Sequence, residues 1–180
     1  MMSGYSQKSL GVKAGMNLSN SVTKASSGDS KLDNRLAYYF GGYYSRFWVK
    51  KLEFQEEVVL SFEGGRVPGT SNDVFKYTYI NLPTIIRYHV LEKLSRDGGF
   101  QLGFLVKSVE EINDLKTKPE YQGSTNFSLA LGAGYKISEL INASFRYNMG
   151  LDNQNTNPDT KNSVKTTNRT LQFGVAFKLK

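Results

Sequence analysis

The last ten residues of the chain alternate in character at every step. Five large apolar residues fall on one face of the segment: Leu171, Phe173, Val175, Phe177 and Leu179. Between them stand small or polar residues: Gln172, Gly174, Ala176 and Lys178. Successive side chains of a β-strand point to opposite faces, so the segment is a strand with one apolar face and one small or polar face.

The same alternation recurs along the chain and predicts eight strands. They cover residues 8–18, 36–47, 51–62, 76–90, 99–108, 124–137, 140–151 and the C-terminal decapeptide with a few residues before it. Two irregularities stand out. Glu56 interrupts the apolar face of the third strand, which predicts an uncertain register or a bulge there, and Pro83 removes a backbone donor from the fourth, which predicts a local irregularity.

The connections between these strands alternate in length. Long polar segments cover residues 19–35, 63–75, 109–123 and 152–168, whereas the links near 48–50, 91–98 and 138–139 are short. Outer-membrane up-and-down barrels have long extracellular loops and short periplasmic turns. The predicted fold is therefore all-β, an eight-stranded antiparallel up-and-down transmembrane β-barrel.

Alternation alone also fits a soluble lipocalin-like barrel, in which the apolar face points inward. Composition does not separate the two, because the mean hydropathy of −0.43 suits either class. The polar face favours the membrane. It carries glycines that suit a narrow interior and would weaken exposed strands: Gly11, Gly15, Gly103, Gly132, Gly134, Gly150 and Gly174.

Charged side chains on the polar face would then lie inside a narrow lumen, where buried charges need partners. We expect a salt-bridged network rather than a gated pore or ligand site. Its predicted members are Lys13, Glu53, Glu57, Arg87, Gln101, Lys136, Arg146 and Gln172. Further inward-facing candidates are Asn17, Asn81, Lys107, Asn142 and Lys178.

Three aromatic residues near predicted strand ends, Trp48, Tyr88 and Tyr147, are candidates for interfacial girdles. Candidates for chemistry are few. His89 is the single histidine and falls near a short link, and there are no cysteines. The Gly-Gly pairs at 41, 64 and 98 lack the context of a phosphate loop and indicate bends and turns. The expected protein is non-enzymatic, with no catalytic, metal or cofactor site.

Residues 1–6 resemble the tail of a secretory signal peptide, with cleavage after Ser6, and residues 7–180 form the single predicted domain. The net charge of +7 is compatible with nucleic acid or with a lipopolysaccharide-bearing membrane surface. The basic residues are scattered along the sequence, so no nucleic-acid partner is predicted. Outer-membrane lipid and lipopolysaccharide are the expected partners.

Several segments resemble the PorT-like outer-membrane β-barrel proteins of Gram-negative bacteria. The opening strand from Gly11 to Asn20 and the Leu82-Pro83 segment within 79–88 are the most distinctive; 54–57, 132–135 and 145–151 add to them. The resemblance implies an outer-membrane location but no single function. Adhesion through the long loops and an accessory role in an envelope or secretion complex both remain open, and so does a soluble carrier of small apolar ligands.

Overall fold

The computed structural model describes residues 8–25, 28–69, 73–112, 115–117, 125–153 and 164–180. These residues form ten strands: β1 Lys8–Ala25, β2 Gly28–Lys31, β3 Asp33–Val49, β4 Leu52–Arg66, β5 Val74–His89, β6 Leu94–Ile112, β7 Leu115–Thr117, β8 Thr125–Lys136, β9 Ile141–Gly150 and β10 Val164–Lys178. Within the described part of the chain, no helix has the length and apolar character needed to cross a membrane. The predicted signal remnant, residues 1–6, lies outside the described residues.

Eight of the strands form a closed antiparallel barrel in the order β1, β3, β4, β5, β6, β8, β9 and β10. Pairing of β10 with β1, from Gly11 opposite Lys178 to Ala25 opposite Val164, closes the sheet. The short strands β2 and β7 extend β1 and β6 beyond the barrel at the end with the long connections. The predicted eight-stranded up-and-down fold is confirmed.

Backbone partners define the tilt of the strands. A path from Lys51 runs through His89, Ser95, Gly134, Ser144, Gly174, Gly15 and Tyr39 and returns to β4 at Ser61. The return point lies ten residues further along (61 − 51 = 10), which is the shear of the barrel. Eight strands with this shear tilt by about 40°. The path of backbone partners therefore rises toward the long connections by about 1.25 residues (10/8) at each step to the next strand.

The apolar face points outward on every barrel strand. Leu10, Val58, Phe100, Leu131 and Phe173 are all exposed, whereas the buried interior is dominated by polar side chains such as Asn17 and Ser61. A soluble barrel would place these two sets the other way round. The lipocalin-like alternative is therefore not favoured.

Several strands are longer than the sequence predicted, and the links between them are shorter. β1, β3 and β6 contain 18, 17 and 19 residues, whereas about 9–11 tilted residues cross a bilayer. The link predicted over 91–98 is mostly strand, because β6 begins at Leu94. The three Gly-Gly pairs also lie inside strands, so the prediction of bends and turns there was wrong.

The bulge predicted at Glu56 does not occur. Tyr44 pairs with Glu56 and Glu56 with Thr84 in the same register as the residues on either side. Glu56 interrupts the pattern only because a carboxylate stands at an outward position. The register of β5 with β6 shifts instead between Thr78 and Tyr79, which pair with Lys107 and Leu105.

Candidate functional site

A buried ionic cluster lies in the middle of the barrel, around Glu57. The Lys13 Nζ donates to Glu57 Oε2 at 2.7 Å. Arg146 binds both carboxylate oxygens, with Nη2 2.7 Å from Oε1 and Nη1 3.0 Å from Oε2. Gln55 Nε2 donates to Oε1 at 2.6 Å. Because all these side chains are buried, the mutual pairing offsets the cost of removing three charges from water.

The Arg146–Glu57 pair spans the full width of the barrel. β9 lies four strands from β4 in either direction around the eight-stranded barrel, so the two strands are diametrically opposite. β5 and β10 are also opposite, and Asn168 Nδ2 of β10 donates to the Tyr79 hydroxyl of β5 at 3.3 Å. We call these two contacts the crossbars. They divide the lumen at two heights.

A second cluster lies at the end with the short turns and is organised by Arg87. Its Nε and Nη2 donate to the two oxygens of Asp97, both at 2.9 Å, and its Nη1 donates to Gln55 Oε1 at 3.0 Å. Glu53 continues the cluster to the mouth, where its Oε2 is 2.8 Å from His89 Nε2. Gln55 contacts both Arg87 and Glu57, so the two clusters form one connected network.

A third cluster, nearer the long connections, contains Glu63. Its Oε1 accepts from the Ser61 hydroxyl at 2.8 Å and from Asn81 Nδ2 at 3.2 Å, and its Oε2 accepts from the Thr170 hydroxyl at 3.2 Å. Asn17 Nδ2 donates to the Ser61 hydroxyl at 2.9 Å. Uncharged side chains therefore hold this carboxylate, in contrast to Glu57.

The remaining predicted network residues divide by depth. Gln172 Nε2 donates to Asn17 Oδ1 at 3.0 Å, and Gln101 is buried without a partner for its Oε1 among the described residues. Lys136 lies at the mouth of the lumen, where its Nζ is 2.6 Å from Glu139 Oε1 and does not join the central cluster. Two other candidates, Lys178 and Asn142, line the same mouth, around a cavity of about 190 Å³.

Lys107 was predicted to face the lumen, and this prediction was wrong. The register shift opposite Thr78 and Tyr79 inserts Val106 as an extra residue, and Lys107 becomes exposed while Ser108 turns inward. Two important acids were missed because the predicted strands were too short. Asp97 had been assigned to a link and Glu63 to a loop, although inward positions at odd numbers continue through both.

Inward tyrosines pack over the lumen glycines. A Cβ at Gly15 would lie 2.8 Å from Tyr39 Cε1, and one at Gly174 would collide with the Tyr39 hydroxyl. A Cβ at Gly11 would likewise collide with the ring of Tyr43. The glycines predicted to suit a narrow interior therefore provide the space that two aromatic rings fill.

The predicted girdle residues all lie on the outer surface. Trp48 stands beside the β3–β4 turn with 76% of its side chain exposed, and Tyr88 is one residue from the end of β5. Tyr147 lies further along the wall, between Leu131 and Leu171 of the neighbouring strands. Tyr147 therefore differs from the other two, because it lies among apolar residues of the wall and not beside a turn.

Lysines that are scattered in the sequence are brought together at the end with the short turns. We call this group the lysine rim: Lys8, Lys50, Lys51, Lys93, Lys136, Lys178 and Lys180. The turns there add only two acids, Glu92 and Glu139. Lys136 donates a hydrogen bond to Glu139 and lowers the pKa of that exposed carboxyl. The folded chain thus concentrates positive charge at one end.

The described residues contain no cluster of three or more histidine, aspartate or glutamate side chains arranged to hold a metal ion. The charged side chains of the clusters around Glu57 and Arg87 are instead paired with one another.

Comparison with known families supports the architecture. The profile of the outer membrane protein beta-barrel domain family matches residues 5–155. It does not single out the PorT-like proteins. No curated protein sequence matches the chain.

Solved structures with the same fold include Neisserial surface protein A, with a TM-score of 0.61, 15% identity, and coverage of 96% of this chain and 99% of that chain. The attachment invasion locus protein Ail of Yersinia pestis superposes with a TM-score of 0.56 at 11% identity, covering 95% of this chain and 99% of that chain.

Proposed function

Because this chain belongs to the outer membrane protein beta-barrel domain family and is located in the bacterial outer membrane, we propose that it is a non-conducting, non-enzymatic anchor. Its lumen would serve to hold the barrel together, and its long connections would provide the working surface. The observation that carries this proposal is the Arg146–Glu57 crossbar, a bidentate ion pair that joins opposite walls.

A hydrated channel needs a continuous polar path, and the buried Arg146–Glu57 ion pair lies across the middle of the lumen where such a path would run. Breaking such a pair costs about 3–5 kcal/mol, because each partner left behind is an uncompensated buried charge. The interior of an eight-stranded barrel is in any case only wide enough for side chains. We therefore expect the lumen to remain closed to ions.

Planar-bilayer recording tests the closed lumen. Insertion of the folded protein should leave the current at baseline, with detergent alone and a known porin as the two controls. Insertion would be verified independently by recovering the protein from the bilayer material and running it on an SDS gel with and without boiling. A band that moves on boiling, which we call the heat shift, identifies a folded barrel. Discrete conductance steps from verified insertions would overturn the proposal and identify the protein as a channel.

The long-loop end supports the working-surface part of the proposal. β1, β3, β4, β5 and β6 contain at least 15 residues each, so their ends extend past the apolar band as hydrogen-bonded sheet. β8 and β9 are shorter, with 12 and 10 residues. The result is a rigid, asymmetric rim that would present the connections for adhesion or partner docking.

Exposed cations on this outer rim suit the phosphates of lipopolysaccharide. Lys24, Arg66, Lys107 and Lys165 are all exposed there. Phosphate binding by these side chains should raise the temperature of the heat shift when lipopolysaccharide is added to detergent-folded protein. Replacing all four with glutamine should remove that increase; an unchanged increase would argue against this partner.

An accessory role in an envelope or secretion complex is the second candidate, and the lysine rim favours it. Seven lysines facing the periplasm would suit an acidic periplasmic domain. The PorT-like resemblance points in the same direction. Affinity capture of an acidic envelope protein that is lost when Lys50, Lys51 and Lys93 are changed to glutamine would support this role; capture that is insensitive to these changes would count against it.

A further inference from the structure

A single acidic side chain interrupts the lipid-facing surface of the barrel. Glu56 points outward from β4, and its neighbours on the same face of the strand are apolar: Leu52 and Phe54 toward the short turns, and Val58, Leu60 and Phe62 toward the outer end. Glu56 therefore lies about 13 Å along the strand from Leu52 and well inside the apolar band.

Other charged side chains also point outward, among them Arg46 and Arg96, both exposed. No ion pair or hydrogen bond joins Glu56 to another residue in the described part of the chain. A charged group facing hydrocarbon is destabilising in proportion to its depth, so Glu56 is unfavourable in an isolated barrel.

Arg96 lies at nearly the same height as Glu56. The row of backbone partners through Glu56 passes Thr84 and reaches Phe100 on β6. From β4 to β6 this row crosses two strands and rises toward the long connections by about 2.5 residues (2 × 1.25). The position on β6 at the height of Glu56 is therefore about 2.5 residues below Phe100. Arg96 is four residues below Phe100, which leaves a difference of about 1.5 residues, or roughly 4 Å.

The surface between these two charges is apolar at its centre and partly concave beside it. Ile86 of β5 lies midway between Glu56 and Arg96 and is exposed, and the smaller residues Thr84 and Gly98 flank it on the same outward face. A Cβ added at Gly98 would meet nothing within 4 Å. A concavity of about 580 Å³ adjoins Glu56 and is lined on its outer side by Gly42, Tyr44, Val58, Leu82 and Thr84.

We propose that this face, β4 to β6, pairs with the same face of a second copy of the chain in the membrane. The partner of Glu56 on β5 is Thr84 and the partner of Arg96 is Tyr88, so Ile86 lies midway between the two charges. A twofold axis along the membrane normal that passes Ile86 exchanges the two sides of the face. It therefore places Glu56 of one copy opposite the partner's Arg96, and Arg96 opposite the partner's Glu56. Such an interface is isologous, with each residue contact made twice.

The chemistry favours a second copy over other occupants. Each outward carboxylate requires a cation at its own depth, and a lipid headgroup stays at the membrane surface. The same face of the chain supplies that cation at the matching height, on the far side of the axis. Ile86 of each copy would meet at the axis, the small residues Thr84 and Gly98 limit the bulk on either side of it, and the concavities beside Glu56 accept apolar side chains of the facing copy.

Cysteine cross-linking tests this dimer directly, because the native chain contains no cysteine. Ile86→Cys in outer-membrane vesicles should form a disulfide-linked dimer on mild oxidation, since the two copies of residue 86 would face one another across the axis. Val175→Cys is the matched control. It lies on β10, opposite β5, at about the same height and also outward.

Charge reversal in the Ile86→Cys background then identifies the contact. Glu56→Arg or Arg96→Glu alone places like charges together and should reduce the cross-linked fraction about tenfold. The double reversal should restore it to within about twofold of the Ile86→Cys protein. Each variant would be shown to fold by its heat shift. Glu56→Gln, a neutral variant of nearly the same shape, should also reduce cross-linking and provides a second measure if either reversal fails to fold.

Two results would overturn the proposal. Equal cross-linking at residues 86 and 175 would show that collisions between monomers account for the product. Failure of the double reversal to restore the dimer, with the protein folded, would show that Glu56 and Arg96 are not partners. None of these substitutions touches the crossbars, so the outcome is independent of whether the lumen conducts.

Discussion

At the scale of single residues, the lumen contains two kinds of buried acid. Glu57 is held by two cations, whereas Glu63 is held by hydroxyl and amide donors alone. The sequence could identify Glu57, Lys13 and Arg146 as inward-facing, because alternation assigns the face. It could not choose which cation meets which acid, because that choice depends on diametric position in the closed barrel.

Replacing Glu57 with glutamine should destabilise the folded barrel by about 3 kcal/mol, because Lys13 and Arg146 would keep their charges without a carboxylate. The temperature of the heat shift, or the urea midpoint in detergent, would measure the loss. Glu92→Gln in an exposed turn is the control and should change stability by less than about 0.5 kcal/mol. Equal behaviour of the two variants would show that the central cluster does not stabilise the fold.

Adding one methyl group at Gly174 should also destabilise the barrel, by about 1–3 kcal/mol, because the Cβ would collide with the Tyr39 hydroxyl and lie 2.7 Å from the backbone oxygen of Ala14. Gly98→Ala is the matched control, since nothing lies within 4 Å of its added Cβ. Urea unfolding would compare the two.

Tyr39→Phe in the Gly174→Ala background should recover part of the loss, because it removes the atom that collides. No recovery would mean that the backbone contact with Ala14 dominates. An unchanged stability of Gly174→Ala itself would contradict close packing of tyrosine over glycine in the lumen.

At the scale of the strand, alternation predicted where elements exist better than where they end. The pattern runs on through polar residues once a strand leaves the bilayer, so β1 continues to Ala25, although residues 19–25 had been assigned to a loop. The shift near Lys107 gives no such signal, because Val106 and Lys107 are both compatible with a strand. The position of this register shift is set by backbone pairing with the neighbouring strand β5.

The ends of β1 and β3 give a prediction about orientation. A single cysteine at Lys24, near the outer end of β1, should react on intact cells with a maleimide that carries a polymer too large for porins. A cysteine at Lys50, in the β3–β4 turn, should react only after the outer membrane is permeabilised. The reverse pattern would show that the long connections face the periplasm.

At the scale of the whole molecule, the fold separates charge that the sequence mixes. The seven lysines of the rim come from five different segments. They meet only because an even number of strands brings every short turn, the start of β1 and the end of β10 to the same side of the barrel. The expectation of scattered charge was correct for the linear chain and wrong for the folded one. Likewise, the carboxylate of Glu56 becomes notable only when the lipid-facing side of the barrel is known.

The lysine rim should make the barrel more stable in membranes that contain anionic phospholipid. Each lysine near an anionic surface contributes about 1 kcal/mol at low salt. The urea midpoint should therefore be higher in vesicles containing phosphatidylglycerol than in phosphatidylcholine alone, and about 0.5 M salt should reduce the difference.

Changing Lys50, Lys51 and Lys93 to glutamine should remove nearly half of that difference, because four rim lysines remain. The corresponding triple change of Lys24, Lys31 and Lys165 at the other end is the control and should preserve it. A lipid effect that is unchanged by loss of the three rim lysines would assign it to some other part of the molecule.

The closing of β1 against β10 also sets the order of events when the barrel forms. Gly11 meets Lys178, 167 residues further along the chain (178 − 11 = 167). Contacts this distant in sequence are reached slowly, since the intervening chain must be positioned first. During synthesis β1 therefore has one unpaired edge until the last strand arrives, and unpaired edges attract foreign strands. The first strand is therefore the part of the chain most exposed to misassembly, and shielding of its free edge until β10 pairs with it would favour correct closure.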